Sequence, residues 1–304
     1  MDNTEVKIEE ISGQVPENNL RGIILKNKFQ IVLDNNVYCS KMSILEKFKE
    51  KYKDKIKLLL TDTNISEMIE YKDRLKIAIK VKDKLFGPPR FIVATELNGY
   101  FNKFNPIKYY IMKQKLYKMY FDSETSFKKL LETNIIFDDE QVEYIKNTRE
   151  EIKRQYEQDW LKSKNVINAE ISKLKKEEGI PRSKIVKDVI EKYFFDKNTF
   201  NLVMERFGIE KIFPEYKTLF LDNIWVHKIK TISTFMKFYV RKMEQYVNYN
   251  FTNVKGADLL DLDYTVFFPY IDFFITENKK HFLHGIDNTK IKTFDEFEEM
   301  LKNK

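Results

Sequence analysis

The stretch Phe29-Gln30-Ile31-Val32-Leu33-Asp34-Asn35-Asn36 decides how the fold is read. Its first five residues are mostly apolar, long enough for a buried strand and too short for a helix. The run then stops on a carboxylate and two amides, so the strand delivers a polar cluster at its C-terminal end. Ser40-Lys41-Met42-Ser43-Ile44-Leu45 opens an amphipathic helix, with Ser40 or Ser43 as the candidate cap. The same rhythm follows. Ile56-Lys57-Leu58-Leu59-Leu60 predicts a second strand, Thr61-Asp62-Thr63-Asn64 a loop, and the next helix begins near Ile65 with Glu67 and Glu70 on it. Strand, loop and helix in alternation are the signature of a parallel α/β sheet.

Beyond the punctuating Gly87-Pro88-Pro89, the segment Arg90 to Leu97 is a third apolar piece that passes from strand to helix and carries Glu96. From about 107 to 250 the chain reads as helical. Glu140 to Glu178 is dense in Glu and Lys, with Val142, Ile145, Ile152 and Tyr156 at helical spacing, the pattern of a solvated face. Ile180-Pro181-Arg182-Ser183 interrupts it, with Ser183 a cap for the helix through Tyr193. Ile229 to Tyr249 is a further long helix whose stripe of Phe235, Phe238, Tyr239, Met243 and Tyr246 reads as core. After it the α/β pattern returns. Asp258 to Phe268 reads as a helix that Pro269 ends, Asp272 to Thr276 as a buried strand, and Lys290 to Lys292 as an edge strand. Thr293-Phe294-Asp295-Glu296 forms a capping box that starts a last helix, Phe297 to Leu301.

Composition narrows the chemistry. The 304 residues hold 54 Lys and Arg against 47 Asp and Glu, a net charge of +7 that permits a polyanionic partner without requiring one. A single cysteine, Cys39, excludes a disulfide framework and a thiolate zinc cluster. Three histidines, His227, His281 and His284, leave little for a His-rich metal centre. No apolar run reaches the roughly 18 residues of a membrane span, and the acidic start does not resemble a signal peptide. The expectation is a soluble, cytoplasmic protein with no membrane partner.

Chemistry therefore falls on carboxylates. Asp34 and Glu277 follow the C-terminal ends of strands, Glu67 stands at the head of a helix after a strand, and Asp258 and Asp261 share a helix face. In an open parallel sheet, ligands gather beyond the strand C-termini. Acids assembled there repel one another unless a hard divalent cation, Mg²⁺ or Mn²⁺, neutralises them, and such a site suits phosphodiester hydrolysis. For any one acid, helix capping or a surface position is the ordinary role. Asp34, directly after an apolar strand, has fewer ordinary explanations.

These segments resemble the PIN-domain nucleases. Ile31 to Tyr38 is similar to that family's opening strand, which ends in Asp, a variable residue and Asn. Leu58 to Glu67 looks like its second element, and Asp258 to Tyr264 followed by Phe268 to Thr276 like its closing helix and strand. The resemblance implies a PIN-like parallel sheet flanked by helices, with a large all-helical insertion. It divides the chain into an N-terminal arm (1–19), two parts of the PIN-like domain (20–106 and 251–304) and the insertion (107–250). It further implies a metal-dependent endoribonuclease, with Asp34, Glu67 and Asp261 on Mg²⁺ or Mn²⁺ and Glu277 completing the acidic pocket. Asp258 competes for the third position and Glu96 for the second. Asn36 and Thr276 would position the site.

The family habit points to single-stranded or tRNA-like RNA, with DNA as an alternative, and to a toxin or antiviral defence role. The insertion would serve as a clamp, an oligomerisation element or a protein-docking surface. One departure stands out: Asn278 occupies the position where the family commonly has an acid. It favours the alternative of a catalytically weak or inactive module that binds nucleic acid or protein.

Overall fold

The computed structural model describes residues 28–86, 92–93, 96, 139–178, 181–194, 229–248, 260–283 and 289–303. The arm at 1–19, the Gly87-Pro88-Pro89 break, Asp258, His227 and His284 lie outside them.

Strand β1 (Phe29–Leu33) leads into helices α1 (Asn35–Ser40) and α2 (Leu45–Lys51). Then come β2 (Ile56–Thr61), α3 (Asp62–Met68), α4 (Lys72–Val81) and β3 (Lys84–Phe86). The long helix α5 (Asp139–Glu178) precedes α6 (Arg182–Phe194) and α7 (Lys230–Asn248). A 3₁₀ segment (Asp261–Tyr270), β4 (Phe273–Ile275), α8 (Lys279–Leu283), β5 (Ile291–Lys292) and α9 (Phe294–Lys302) follow.

All five strands are parallel, in the order β3-β2-β1-β4-β5. The chain builds outward from β1 on one side and then returns to place β4 and β5 on the other. The reversal point, where a parallel sheet opens a crevice at its C-terminal edge, therefore lies between β1 and β4. There Leu33 pairs with Ile275, so Asp34 and Thr276 emerge side by side.

The period-two rule explains how this short sheet is buried on both faces. Ile31, Leu33, Leu58, Leu60 and Ile275 point to one side, into a core with α1, α2, α4 and α9. Val32, Leu59 and Phe274 point to the other, where they share a core with Trp160, Ile167, Val186, Phe235 and Phe267. The described helices between 139 and 248 thus supply the second covering layer of the sheet. The aromatic stripe of α7 is core as expected: Phe235, Phe238, Met243 and Tyr246 are buried and Tyr239 packs against them. The start of α5 is as solvated as its charge pattern predicts.

Several boundaries differ from the sequence reading. Neither Ser40 nor Ser43 caps a helix: Ser40 ends α1, and α2 starts after Ile44 without a side-chain cap. Helix α3 starts at Asp62, not near Ile65, because Thr61 and Asn64 form a reciprocal capping box. Glu67 accordingly sits near the end of a seven-residue helix instead of its head. Ser183 lies inside α6, which begins at Arg182. The segment before β4 is a 3₁₀ helix with Pro269 inside it, so the proline does not end the helix at Phe268. The strand paired to β2 is Lys84–Phe86, too short to carry a period, and the described residues of the third apolar piece, 92–93 and 96, are helical. Helix α9 keeps the predicted Thr293–Glu296 box but starts at Phe294.

Candidate functional site

Asp34 stands at the N-cap of α1, where an aspartate ordinarily accepts backbone N–H groups of the first turn. Its side chain makes no such bond. The carboxylate turns toward β4 instead: Oδ2 accepts from Asn36 Nδ2 at 2.6 Å and from Thr276 Oγ1 at 2.7 Å. Asn36 Nδ2 also reaches Thr276 Oγ1 at 3.1 Å, and Asn36 Oδ1 accepts the Glu277 N–H at 3.1 Å. The Asn278 N–H closes the turn on Thr276 Oγ1 at 3.0 Å. This network ties the ends of β1 and β4 together around one carboxylate that is only 8% exposed. Asn36 and Thr276 thus both hydrogen-bond the Asp34 carboxylate.

Glu67 comes from α3. Its Oε2 accepts from the Tyr264 hydroxyl at 2.6 Å, and its Oε1 from Arg149 Nη2 at 2.9 Å. Tyr264 in turn accepts from Asn64 Nδ2 at 3.0 Å, and the same nitrogen holds the Leu33 carbonyl at 2.8 Å. Asn64 and Glu67 are three apart on one helix, so both reach the same phenol. Asp261 and Tyr264 are three apart in the 3₁₀ segment, the spacing at which side chains eclipse. One buried chain of hydrogen bonds therefore links the residue before Asp34 to Glu67, and the 3₁₀ turn places Asp261 beside it.

The charges act on one another. The Glu67 carboxyl is pushed up to about 7, chiefly by burial; Arg149 and Tyr264 oppose the rise, and Asp261 and Asp34 add to it. Burial and the same three carboxylates hold the Tyr264 phenol well above its usual range, so it stays a donor. Asp34, Glu67 and Asp261 are thus electrostatic neighbours. Glu277 is exposed; its backbone holds Asn36, and its charge acts on Lys41. Asp258 lies outside the described residues.

Glu96, the rival of Glu67, does different work. It accepts the Thr231 N–H at 2.9 Å and the Thr231 hydroxyl at 2.5 Å, and it binds the Tyr270 hydroxyl. These bonds fasten the first turn of α7, where backbone donors lack helical partners.

In kind, the donors suit a hard divalent cation: carboxylate and hydroxyl oxygens with no soft ligand. Their convergence falls short. Among the described residues, no group of three or more His, Cys, Asp or Glu is disposed to hold a metal ion. The positive charge at Glu67 is Arg149. Sequence reading passed over Arg149, Tyr264 and Asn64. Arg149 is one base in a run of alternating charge, while the capping spacing from Thr61 to Asn64 was the available signal for Asn64.

No protein-family model matches this chain, and no characterised protein or solved structure is significantly similar to it.

Proposed function

We propose that the protein is a metal-dependent phosphodiesterase of PIN-like type, acting on RNA. The observation that carries this reading is the withheld carboxylate of Asp34. It stands at the reversal point of a parallel sheet, makes no capping bond, is locked by Asn36 and Thr276, and has Glu67 and Asp261 as charged neighbours. Asp34, Glu67 and Asp261 would hold Mg²⁺ or Mn²⁺. Such a cation supplies Lewis-acid stabilisation of a phosphodiester and lowers the pKa of water.

The chain's own residues do the rest. Asn36 and Thr276 hold the Asp34 carboxylate, and the Tyr264 hydroxyl, protonated at neutral pH, donates to Glu67. Asp34 and Thr276 are buried at the strand ends, which strengthens charge interactions there. RNA is chosen over DNA on the family resemblance alone.

The test is cleavage of RNA and single-stranded DNA with Mn²⁺ against EDTA, using wild type and Asp34→Asn. Loss of metal-dependent cleavage in the variant supports the assignment, and equal cleavage by the two proteins sinks it. A second reading, a silent binding module, is favoured by the pairing of Arg149 with Glu67 and by the absence of a three-ligand group among the described residues. RNA binding without cleavage under any metal would establish it.

A further inference from the structure

Asp34, Glu67 and Asp261 concentrate negative charge at the crevice, and negative charge repels a phosphodiester backbone. Affinity for a nucleic acid therefore has to come from bases elsewhere on the surface. Helix α4 supplies them. Between Lys72 and Lys84 the chain has six bases against two acids. Leu75, Ala78 and Val81 turn into the core. Lys72, Lys76 and Lys80, spaced four residues apart, form an exposed stripe on the opposite side of the helix. Successive lysines stand about 6 Å apart along its axis. Their acidic partners are Asp139 at 3.6 Å, Asp73 at 3.8 Å and Glu46 at 2.5 Å. All of these carboxylates are at the surface, and pairs so exposed hold weakly enough for a phosphate to replace them.

The stripe has a direction. Helix α3 follows the C-terminal end of β2, and β3 runs parallel to β2. Helix α4 must therefore carry the chain back from the crevice edge of the sheet to the opposite edge. Its first turn lies on the crevice side. There Tyr71, four residues after Glu67, is 46% exposed. The Arg74 guanidinium lies over its ring, 4.0 Å from the centroid, and makes no ion pair among the described residues. An exposed ring beside an uncommitted guanidinium offers a stacking surface and a phosphate donor together.

We propose that α4 is a track for single-stranded nucleic acid leading away from the crevice, with phosphates against Lys72, Lys76 and Lys80 and one base stacked on Tyr71. The choice of RNA as the strand rests on the function proposed above; the track itself involves no metal. A single strand suits the surface because one helical stripe follows one backbone, and Tyr71 stacks on a base that is free of a duplex.

The test is binding of a fluorescein-labelled oligouridine to the full chain in EDTA, followed by anisotropy across a salt series. On single strands each neutralised phosphate contributes about 0.7 to the slope of log affinity against log salt. Replacing Lys72, Lys76 and Lys80 together by Gln is expected to flatten that slope by about 2 and to weaken binding about tenfold or more. A control triple, Lys184→Gln, Lys187→Gln and Lys192→Gln, removes the same charge from the exposed side of α6, which packs on the other face of the sheet. It should keep the wild-type slope. Equal flattening in both triples would show that net charge alone attracts the strand, and would overturn the track. Tyr71→Ala is expected to bind about fivefold or more weakly with the slope unchanged; wild-type affinity in that variant rules out the stacked strand. No binding by wild type in EDTA also overturns the track, and leaves the metal-dependent cleavage test of the site to stand or fall separately. Binding on this surface without cleavage under Mn²⁺ would sink the nuclease reading and keep the track.

Discussion

Glu67 and Glu96 are a matched pair with different fates. Both are at least partly buried, and each accepts a tyrosine hydroxyl from the same 3₁₀ segment, Tyr264 for Glu67 and Tyr270 for Glu96. Glu96 adds a backbone N–H and a hydroxyl from Thr231, so its charge settles on a helix terminus. Glu67 instead faces Asp34 and Asp261, and a guanidinium from a helix far along the chain balances it. Hydrogen-bond chemistry is nearly the same in the two places. What differs is the sign of the surrounding charge, and that separates an anchor from a candidate site.

The sharpest way to break this comparison is activity. On the function proposed, Glu67→Gln removes a ligand of the cation that would stabilise transition-state charge and lowers Mn²⁺-dependent RNA cleavage about a hundredfold or more, while Glu96→Gln leaves the rate per folded molecule within about threefold. A similar fall in both would mean that Glu96 belongs to the chemistry.

Stability against pH separates Glu67 next. In its folded state Glu67 titrates near 7, against an ordinary value of 4.5. Between those values the folded protein holds a proton that the unfolded chain releases, so the contribution of Glu67 to stability is greatest below about 4.5 and is lost as pH rises through 7. That component, measured as the difference between wild type and Glu67→Gln in urea unfolding with EDTA at pH 4.5 and 8, is expected to be about 3 kcal/mol. Glu67→Gln should lack that component. An unchanged slope would show that Glu67 is ionised throughout.

Glu96→Ala is expected to cost about 1–2 kcal/mol, the usual loss of a helix-terminal acceptor. Hydrogen exchange should locate that loss at the start of α7. The smallest effects belong to the phenols. Tyr264→Phe and Tyr270→Phe should each lose about 1 kcal/mol, with only Tyr264→Phe weakening Mn²⁺ binding. Equal effects on the cation from both would erase the distinction between the pairs.

What could be read from the chain, and what could not, follows the range of the interactions. β1 and β2 were legible because apolar runs bounded by polar loops report burial directly. The Thr293–Glu296 box was legible because both partners lie within one turn. β3 was not: Lys84-Leu85-Phe86 is a strand only because β2 offers it a ladder. In the candidate site, Asp34 stood out by following a strand, and Asn36 and Thr276 through the family resemblance. Arg149 gave no signal, since one base in an alternating run resembles its neighbours until the helix is docked.

Local pattern thus suffices for β1, β2 and the Thr293–Glu296 box: residues that must leave water or cap a turn declare themselves within a few positions. It also restricts any chemistry to oxygen ligands, because the chain offers one Cys and three His. Only the packed chain decides which acids become neighbours. Asp34, Glu67 and Asp261 are joined through contacts spanning some two hundred residues, among them Asn64 to Tyr264. Charge interactions depend on distance in space, and the order of residues along the chain does not contain that distance.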